Sequence, residues 1–154
     1  PQGYLTVKSK GSQVENIPVI VREKDKMKTL HVQKINTKEK YIVGKYDIEV
    51  LTLPRVLVED VEIKQSFSTT VEVPQPGMVT LLLGAIGYGS LYVEKNNELE
   101  WIYNLNTDLT SETVVLQPGR YKVVYRAKNA KKTLYTIEKS FIITSGRSIA
   151  VRLN

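Results

Sequence analysis

Apolar and polar residues alternate along most of this chain. Tyr46, Ile48 and Val50 fall on one parity, and Lys45, Asp47 and Glu49 on the other. That is the period of a strand with one face buried. Tyr121, Val123 and Tyr125 repeat the pattern against Arg120, Lys122, Val124 and Arg126. Val56, Val58, Val61 and Ile63 form a third such set, with Glu59 and Asp60 breaking its phase as a bulge does. The pattern predicts strands over residues 4–9, 18–23, 29–35, 45–52, 56–63 and 69–73. A second series follows over residues 78–83, 90–94, 100–103, 112–116, 120–126, 133–143 and 148–153. No stretch sustains a capped 3.6-residue period. Short strands punctuated by Gly and Pro predict an all-β fold of sandwich type.

The two series are copies of each other. Gly44-Lys45-Tyr46-Asp47-Ile48 echoes Gly119-Arg120-Tyr121-Lys122-Val123 at an offset of 75 residues. Gln2-Gly3-Tyr4-Leu5-Thr6-Val7 echoes Pro76-Gly77-Met78-Val79-Thr80-Leu81, and the segment from Val61 to Val73 echoes that from Phe141 to Leu153. The last offset is larger, so the second copy holds extra residues between Tyr125 and Phe141. Val73-Pro74-Gln75-Pro76-Gly77 reads as the junction, because its prolines and glycine stop one strand and start another. The expected organisation is two tandem small antiparallel β-sandwich modules, residues 1–75 and 76–154. Pro1-Gln2-Gly3 resembles a second such junction, which sets the expectation of further chain upstream. The last predicted strand runs almost to Asn154, which sets the expectation of an end there.

Composition narrows the chemistry. Apolar residues make up 42% and charged residues 25% of the 154 positions, so the chain carries enough apolar residues to fold. Nine of the twelve aromatics are Tyr, a residue suited to half-buried strand faces. There is no Cys and one His, His31. Disulfides, thiolate metal sites and Cys nucleophiles are therefore excluded. Residues 1–75 carry 12 basic and 10 acidic side chains, net +2, and residues 76–154 carry 10 and 6, net +4. An excess of this size does not by itself argue for nucleic acid. The uncharged run 78–93 is shorter than the roughly 20 residues of a membrane span and is broken by Gly84, Gly87 and Gly89.

Leu116-Gln117-Pro118-Gly119-Arg120-Tyr121-Lys122-Val123, closed by a Gly146-to-Leu153 strand, resembles the small sandwiches of the PEGA, carboxypeptidase-regulatory and Cna-B type. In those folds the Pro-Gly turn leads into a strand whose Tyr anchors the core. The first copy departs from it, since Ile42-Val43-Gly44 lacks the proline. With GKYDIEVLTL (44–53) and VPQPG (73–77), the whole is similar to the C-terminal region of von Willebrand factor A domain-containing envelope proteins of Bacteroidetes-type bacteria. The resemblance implies tandem modules following an A domain, a cell-envelope location (periplasm or cell surface) and no catalysis. The A domain's Asp-x-Ser-x-Ser metal motif is absent from the sequence.

The residues that could carry chemistry lack the partners that chemistry needs. His31 lacks the Gly-x-Ser-x-Gly elbow and the orienting partner of a triad, and reads as a half-exposed strand residue. Glu59, Asp60 and Glu62 read as a solvated face. Asn106-Thr107-Asp108 lacks the glycine and glutamate of a calcium loop and reads as an Asx turn. Residues 84–89 (GAIGYG) lack the following helix of a phosphate loop and read as a hairpin connection, with Ile86 and Tyr88 exposed as contact points. Trp101, with Leu99 and Tyr103 on its parity, reads as core, which counts against a carbohydrate-binding platform. Residues 120–132 (RYKVVYRAKNAKK) hold six cations and no acid, with a hairpin tip expected at 128–131.

The candidate interaction residues are therefore Arg126, Lys128, Lys131, Lys132, Ile86 and Tyr88. No catalytic residue, cofactor or metal is expected. The expected partner is a protein or an upstream domain of the same chain, with an anionic glycan or lipid head group as the further candidates. A nucleic-acid- or polyanion-binding β protein using the 120–132 stripe is the alternative. It is disfavoured because Tyr121 and Tyr125 fall on the buried parity, away from any base.

Overall fold

Tyr46 and Tyr121 occupy the same place in two copies of one seven-stranded plan. The computed structural model describes residues 1–129 and 135–154. The chain divides into two units, Pro1–Gln75 and Pro76–Asn154.

In the first unit the strands are β1 (Gln2–Lys8), β2 (Pro18–Glu23), β3 (His31–Lys34), β4 (Lys38–Ile42), β5 (Gly44–Val50), β6 (Val56–Ile63) and β7 (Ser68–Glu72). A 3-10 turn, Ser12–Val14, lies between β1 and β2. One sheet has the order β4-β1-β7 and the other β3-β2-β5-β6. The second unit holds β8 (Gly77–Leu82), β9 (Gly87–Lys95), β10 (Glu98–Asn104), β11 (Ser111–Leu116), β12 (Gly119–Ala127), β13 (Ile137–Ile143) and β14 (Ser148–Arg152). Its sheets run β11-β8-β14 and β10-β9-β12-β13. Each unit is thus a two-sheet sandwich with the same strand order.

Each small sheet is mixed. β1 pairs antiparallel with β4 and parallel with β7, and β8 does the same with β11 and β14. The last strand of each copy leaves the large sheet and returns beside the first strand, which runs in the same direction.

Alternation sets the core. Leu5 and Val7 on β1 face Ile48 and Val50 on β5, all essentially inaccessible to solvent. Val79 and Leu81 on β8 and Val123 on β12 are their counterparts. Burial of each such side chain stabilises by about 1.5–3 kcal/mol. Gly3 and Gly77 occupy matching positions for a shared steric reason. A Cβ on Gly3 would lie 2.2 Å from the Lys64 carbonyl oxygen, and one on Gly77 2.6 Å from that of Thr144. In both copies the next contact is an Ile Cγ2, at 2.8 Å from Ile63 and 2.7 Å from Ile143.

Several local expectations meet their reasons here. The break at Glu59-Asp60 is a register shift opposite Asp47, between Tyr46–Val61 and Ile48–Val58. Asp60 takes a left-handed φ of 59° there. β9 and β10 are joined through Asn96 and Asn97, both with positive φ (52° and 64°), the geometry that two-residue hairpins require.

Three details differ from the sequence reading. β4 was not anticipated. It is an edge strand whose one fully buried side chain is Tyr41, so its composition (KEKYI) carries almost no apolar period. The glycine-rich 84–89 segment does not form a hairpin. It carries the chain from β8 in one sheet to β9 in the other. Gly87 lets β9 approach β12, since a Cβ would meet the Arg126 carbonyl oxygen at 2.4 Å. Trp101 is not core. It is 55% exposed and Leu99 48%. The register shifts between Trp101 and Tyr103, so residues of the same parity face opposite sides of the sheet before and after this bulge.

Candidate functional site

The outer face of the β10-β9-β12-β13 sheet gathers most of the candidate residues. Antiparallel pairing sets Arg126 on β12 opposite Tyr88 on β9, Lys122 opposite Tyr92, and Val124 opposite Ser90. On the far side of β9, Trp101 lies opposite Tyr92 and Asn104 opposite Ser90. Partners in such a pair have Cβ atoms about 4.5–5.5 Å apart. One surface thus presents Trp101, Tyr92 and Lys122 in one row, Asn104, Ser90 and Val124 in the next, and Tyr88 and Arg126 beyond.

Of the six candidate residues, four are brought to one end of this face. Tyr88 is 55% and Ile86 41% exposed. Arg126 is half-buried beside Tyr88. Lys128 lies just past the end of β12, its backbone N–H donating to the Ile86 carbonyl at 3.0 Å. Its Nζ sits 5.8 Å from the centre of the Tyr88 ring and 3.6 Å from an Asp108 carboxylate oxygen. Lys131 and Lys132 lie outside the described residues, as does half of the hairpin tip expected at 128–131. Among the described residues Arg126 makes no ion pair, and Lys122 has only a 3.6 Å pair with Glu138.

Beside these cations lies a shallow concavity of ≈ 380 Å³, lined by Tyr88, Ser90, Tyr92, Asn104, Thr107 and Arg126 among others. The Trp101 indole N–H donates to Asn104 Oδ1 at 2.9 Å, and the Ser90 hydroxyl donates to the same oxygen at 2.9 Å. The neighbouring β10–β11 loop is built on Glu112, a carboxylate with little exposure. It accepts the Tyr103 hydroxyl at 2.5 Å and the Asn106 backbone N–H at 2.7 Å. The hydrogen bond to this carboxylate pushes the Tyr103 phenol up to about 12. The Asp108 backbone N–H donates to Asn106 Oδ1 at 2.9 Å, the Asx turn expected there.

The tyrosines of the basic stripe itself face inward. Tyr121 donates to the Gln117 carbonyl at 2.5 Å and stacks on Phe141 with centroids 5.7 Å apart. Tyr46 makes the same bond to the Ile42 carbonyl at 2.6 Å. Tyr125 donates to the Ala85 carbonyl, tying the crossing segment to β12. Burial raises the phenol pKa of all three. Hydroxyls held protonated as donors in this way anchor the fold and supply no base.

No protein-family model matches the chain, and no curated protein matches it in sequence. Similar solved structures include GBS52, the minor pilin of the gram-positive pathogen Streptococcus agalactiae. That likeness has 13% identity and a TM-score of 0.45, covering 97% of this chain and 94% of that one. The Bacillus anthracis TIE protein is similar at 12% identity and a TM-score of 0.40, over 99% of this chain and 34% of that one.

The corresponding face of the first unit is built differently. Asp47 and Glu49 on β5 stand where β12 has Lys122 and Val124. Glu49 is held by Arg22 at 2.9 Å and Arg55 at 2.6 Å, and these hydrogen bonds, Arg55 first, lower its carboxyl pKa. Asp47 accepts the backbone N–H groups of Asp25 and Asp60, both at 3.1 Å, which lowers its pKa likewise. Lys24 pairs with Asp60. Glu59, Asp60 and Glu62 are exposed. Among the described residues, no group of three or more His, Cys, Asp or Glu is arranged to hold a metal ion. A concavity of ≈ 640 Å³ lies near His31, Tyr41, Ile42 and Tyr46. There the His31 ring meets Tyr41 edge-on at 6.0 Å, a structural contact rather than a nucleophile pair. Among the described residues, no helix is long and apolar enough to cross a membrane.

Sequence reasoning found the cations and missed the ring surface beside them. Parity carried unbroken from Leu99 through Tyr103 places Trp101 in the core, whereas the bulge at Ile102 turns it outward.

Proposed function

We propose that this chain is a non-catalytic interaction and spacer unit of a bacterial cell-envelope protein. In this reading it follows a von Willebrand factor A-type domain, and its second module makes the contacts with a partner, a protein among them. The observation that carries the reading is the divergence of two otherwise matching sandwiches. One large-sheet face is neutralised by close ion pairs, and the other displays Arg126, with Lys122 and Lys128 in looser 3.6 Å pairs, beside exposed Tyr88 and Trp101. Surface that a fold does not need, and that departs from its own copy, is where binding specificity resides. The Leu116-to-Val123 turn supports the choice of neighbour.

The test is the full-length gene and the location of its product. An exported protein with an A domain ahead of these modules, recovered in the envelope fraction, is the expected result. A short cytoplasmic reading frame holding only these modules overturns the proposal.

A nucleic-acid-binding role is the second reading, favoured by Tyr92 and Tyr88 standing beside Lys122 and Arg126. It predicts oligonucleotide binding that is strong at low salt and falls steeply as salt rises. No binding at low salt eliminates it.

A further inference from the structure

The charge on the outer face of the β10-β9-β12-β13 sheet is unevenly distributed. Arg126 and Lys128 stand at the Tyr88 end. At the Trp101 end the exposed Glu94 shares the face, and Lys122 is paired with Glu138 at 3.6 Å. Tyr88 and Tyr92 lie four residues apart on one strand face, about 13 Å at the rise of a strand. The face is therefore a strip with a positive end and an aromatic end edged by Glu94 and the Lys122–Glu138 pair.

The hydrogen-bonding groups of the strip are mostly donors. An indole N–H can only donate, so the bond from Trp101 assigns the Asn104 oxygen as acceptor. Ser90 occupies the same oxygen. Among the described residues the Asn104 amide NH₂ has no partner and is left for a ligand, as are the Arg126 guanidinium and the Tyr88 hydroxyl. Such a set selects a ligand rich in acceptors, with one anionic group at the Arg126 end. The exposed Trp101 ring and its neighbour Tyr92 select a flat ligand face carrying C–H groups, which aromatic π-faces attract.

We propose that this face binds an acidic glycan through a short stretch holding a carboxylated sugar. One pyranose ring lies on Trp101 and Tyr92, its hydroxyls accept from Asn104, and the carboxylate of a uronate pairs with Arg126, with Lys128 adding charge. A nucleic acid carries a charge at every nucleotide, so its phosphates would run onto Glu94 and the Lys122–Glu138 pair, where no free cation among the described residues answers them. A glycan with a neutral ring at that end has no such conflict. The proposal rests on the reading of this face as the contact surface, and it names the partner class.

Trp101 is the only tryptophan, so it reports on its own site. The intact two-module chain is titrated with oligogalacturonate, alginate oligosaccharides and hyaluronan oligosaccharides, following Trp101 emission and, in parallel, heat of binding. Methyl-esterified oligogalacturonate and oligothymidylate serve as comparisons. Saturable binding of at least one uronate series is expected, with binding of the methyl ester weaker by roughly tenfold, the scale of one charge-assisted hydrogen bond. Arg126→Ala weakens the acid form to the level of the ester. Trp101→Ala abolishes the heat of binding while circular dichroism stays unchanged. Three results overturn the proposal: no saturable binding of any uronate at low salt, preference for oligothymidylate, or binding indifferent to Trp101→Ala. Envelope location and domain composition are read independently of sugar binding, so loss of the glycan leaves the contact-face reading to stand or fall on its own test.

Discussion

The two modules share a frame and differ on one face. In both, a tyrosine two residues into the fifth strand donates its hydroxyl to the carbonyl four residues earlier, at 2.6 Å for Tyr46 and 2.5 Å for Tyr121. In both, a glycine in the first strand lies under the loop that ends the sixth. The large sheets then part company. In the first module Glu49 sits between Arg22 and Arg55, and Lys24 is paired with Asp60. In the second, the matching positions hold Lys122 and Val124, and Arg126 has no ion-pair partner among the described residues. Positions that close the sandwich are the same kind of residue twice over. Positions that only meet solvent or a partner have diverged.

The largest effects should strike what the modules share. Gly77→Val would drive side-chain atoms into the Thr144 and Arg147 carbonyl oxygens and Ile143, costing about 3 kcal/mol or more. Gly3→Val should destabilise the first module to a similar extent, through Lys64 and Ile63. Hydrogen exchange resolved by residue separates the modules, and Trp101 emission follows the second one alone. Unequal losses would break the equivalence of the two frames.

Tyr121→Phe and Tyr46→Phe each remove a buried donor and leave a carbonyl without its partner, costing about 1–2 kcal/mol. Tyr121 is the more deeply buried of the pair, so its loss should be the greater. Chemical denaturation of each variant checks the order.

The difference between the faces predicts a difference in acid. Glu49 and Asp47 titrate below their ordinary values of 4.5 and 3.8 in the folded state. Their stabilisation is complete above those values and is lost as pH falls through the lower folded ones. Acidification below about pH 4.5 should therefore loosen the first module through these groups, and Glu49→Gln should flatten that dependence. A second module that loses protection first on acidification would contradict this.

The smallest effect separates fold from function. Arg126→Ala should change stability by less than about 0.5 kcal/mol, because among the described residues it has no ion pair to lose. A thermal midpoint lowered by several degrees would make Arg126 a structural residue and weaken its role in binding.

Strand existence and core parity were legible wherever a strand lies inside a sheet. β5 and β12 have neighbours on both sides, and one face is fully buried, so their alternation reports burial directly. Edge strands were not legible to the same degree. β4 has one fully buried residue and β10 changes face at its bulge. Four of the six candidate contact residues converge at one end of the second module's outer face. The ring surface beside them stayed hidden, because Trp101 belongs to an edge strand.

Sequence alone determined the duplication, the all-β class and the inward tyrosines, because each follows from a local period that any strand imposes on its side chains. Tertiary structure decided which sheet each strand joins. It turned the Gly84-to-Gly89 segment into a crossing between sheets, and it set Trp101 beside Tyr92 and Asn104. Those outcomes depend on partners far away in the chain and on a single inserted residue, Ile102. Alternation carries no record of where a bulge resets it.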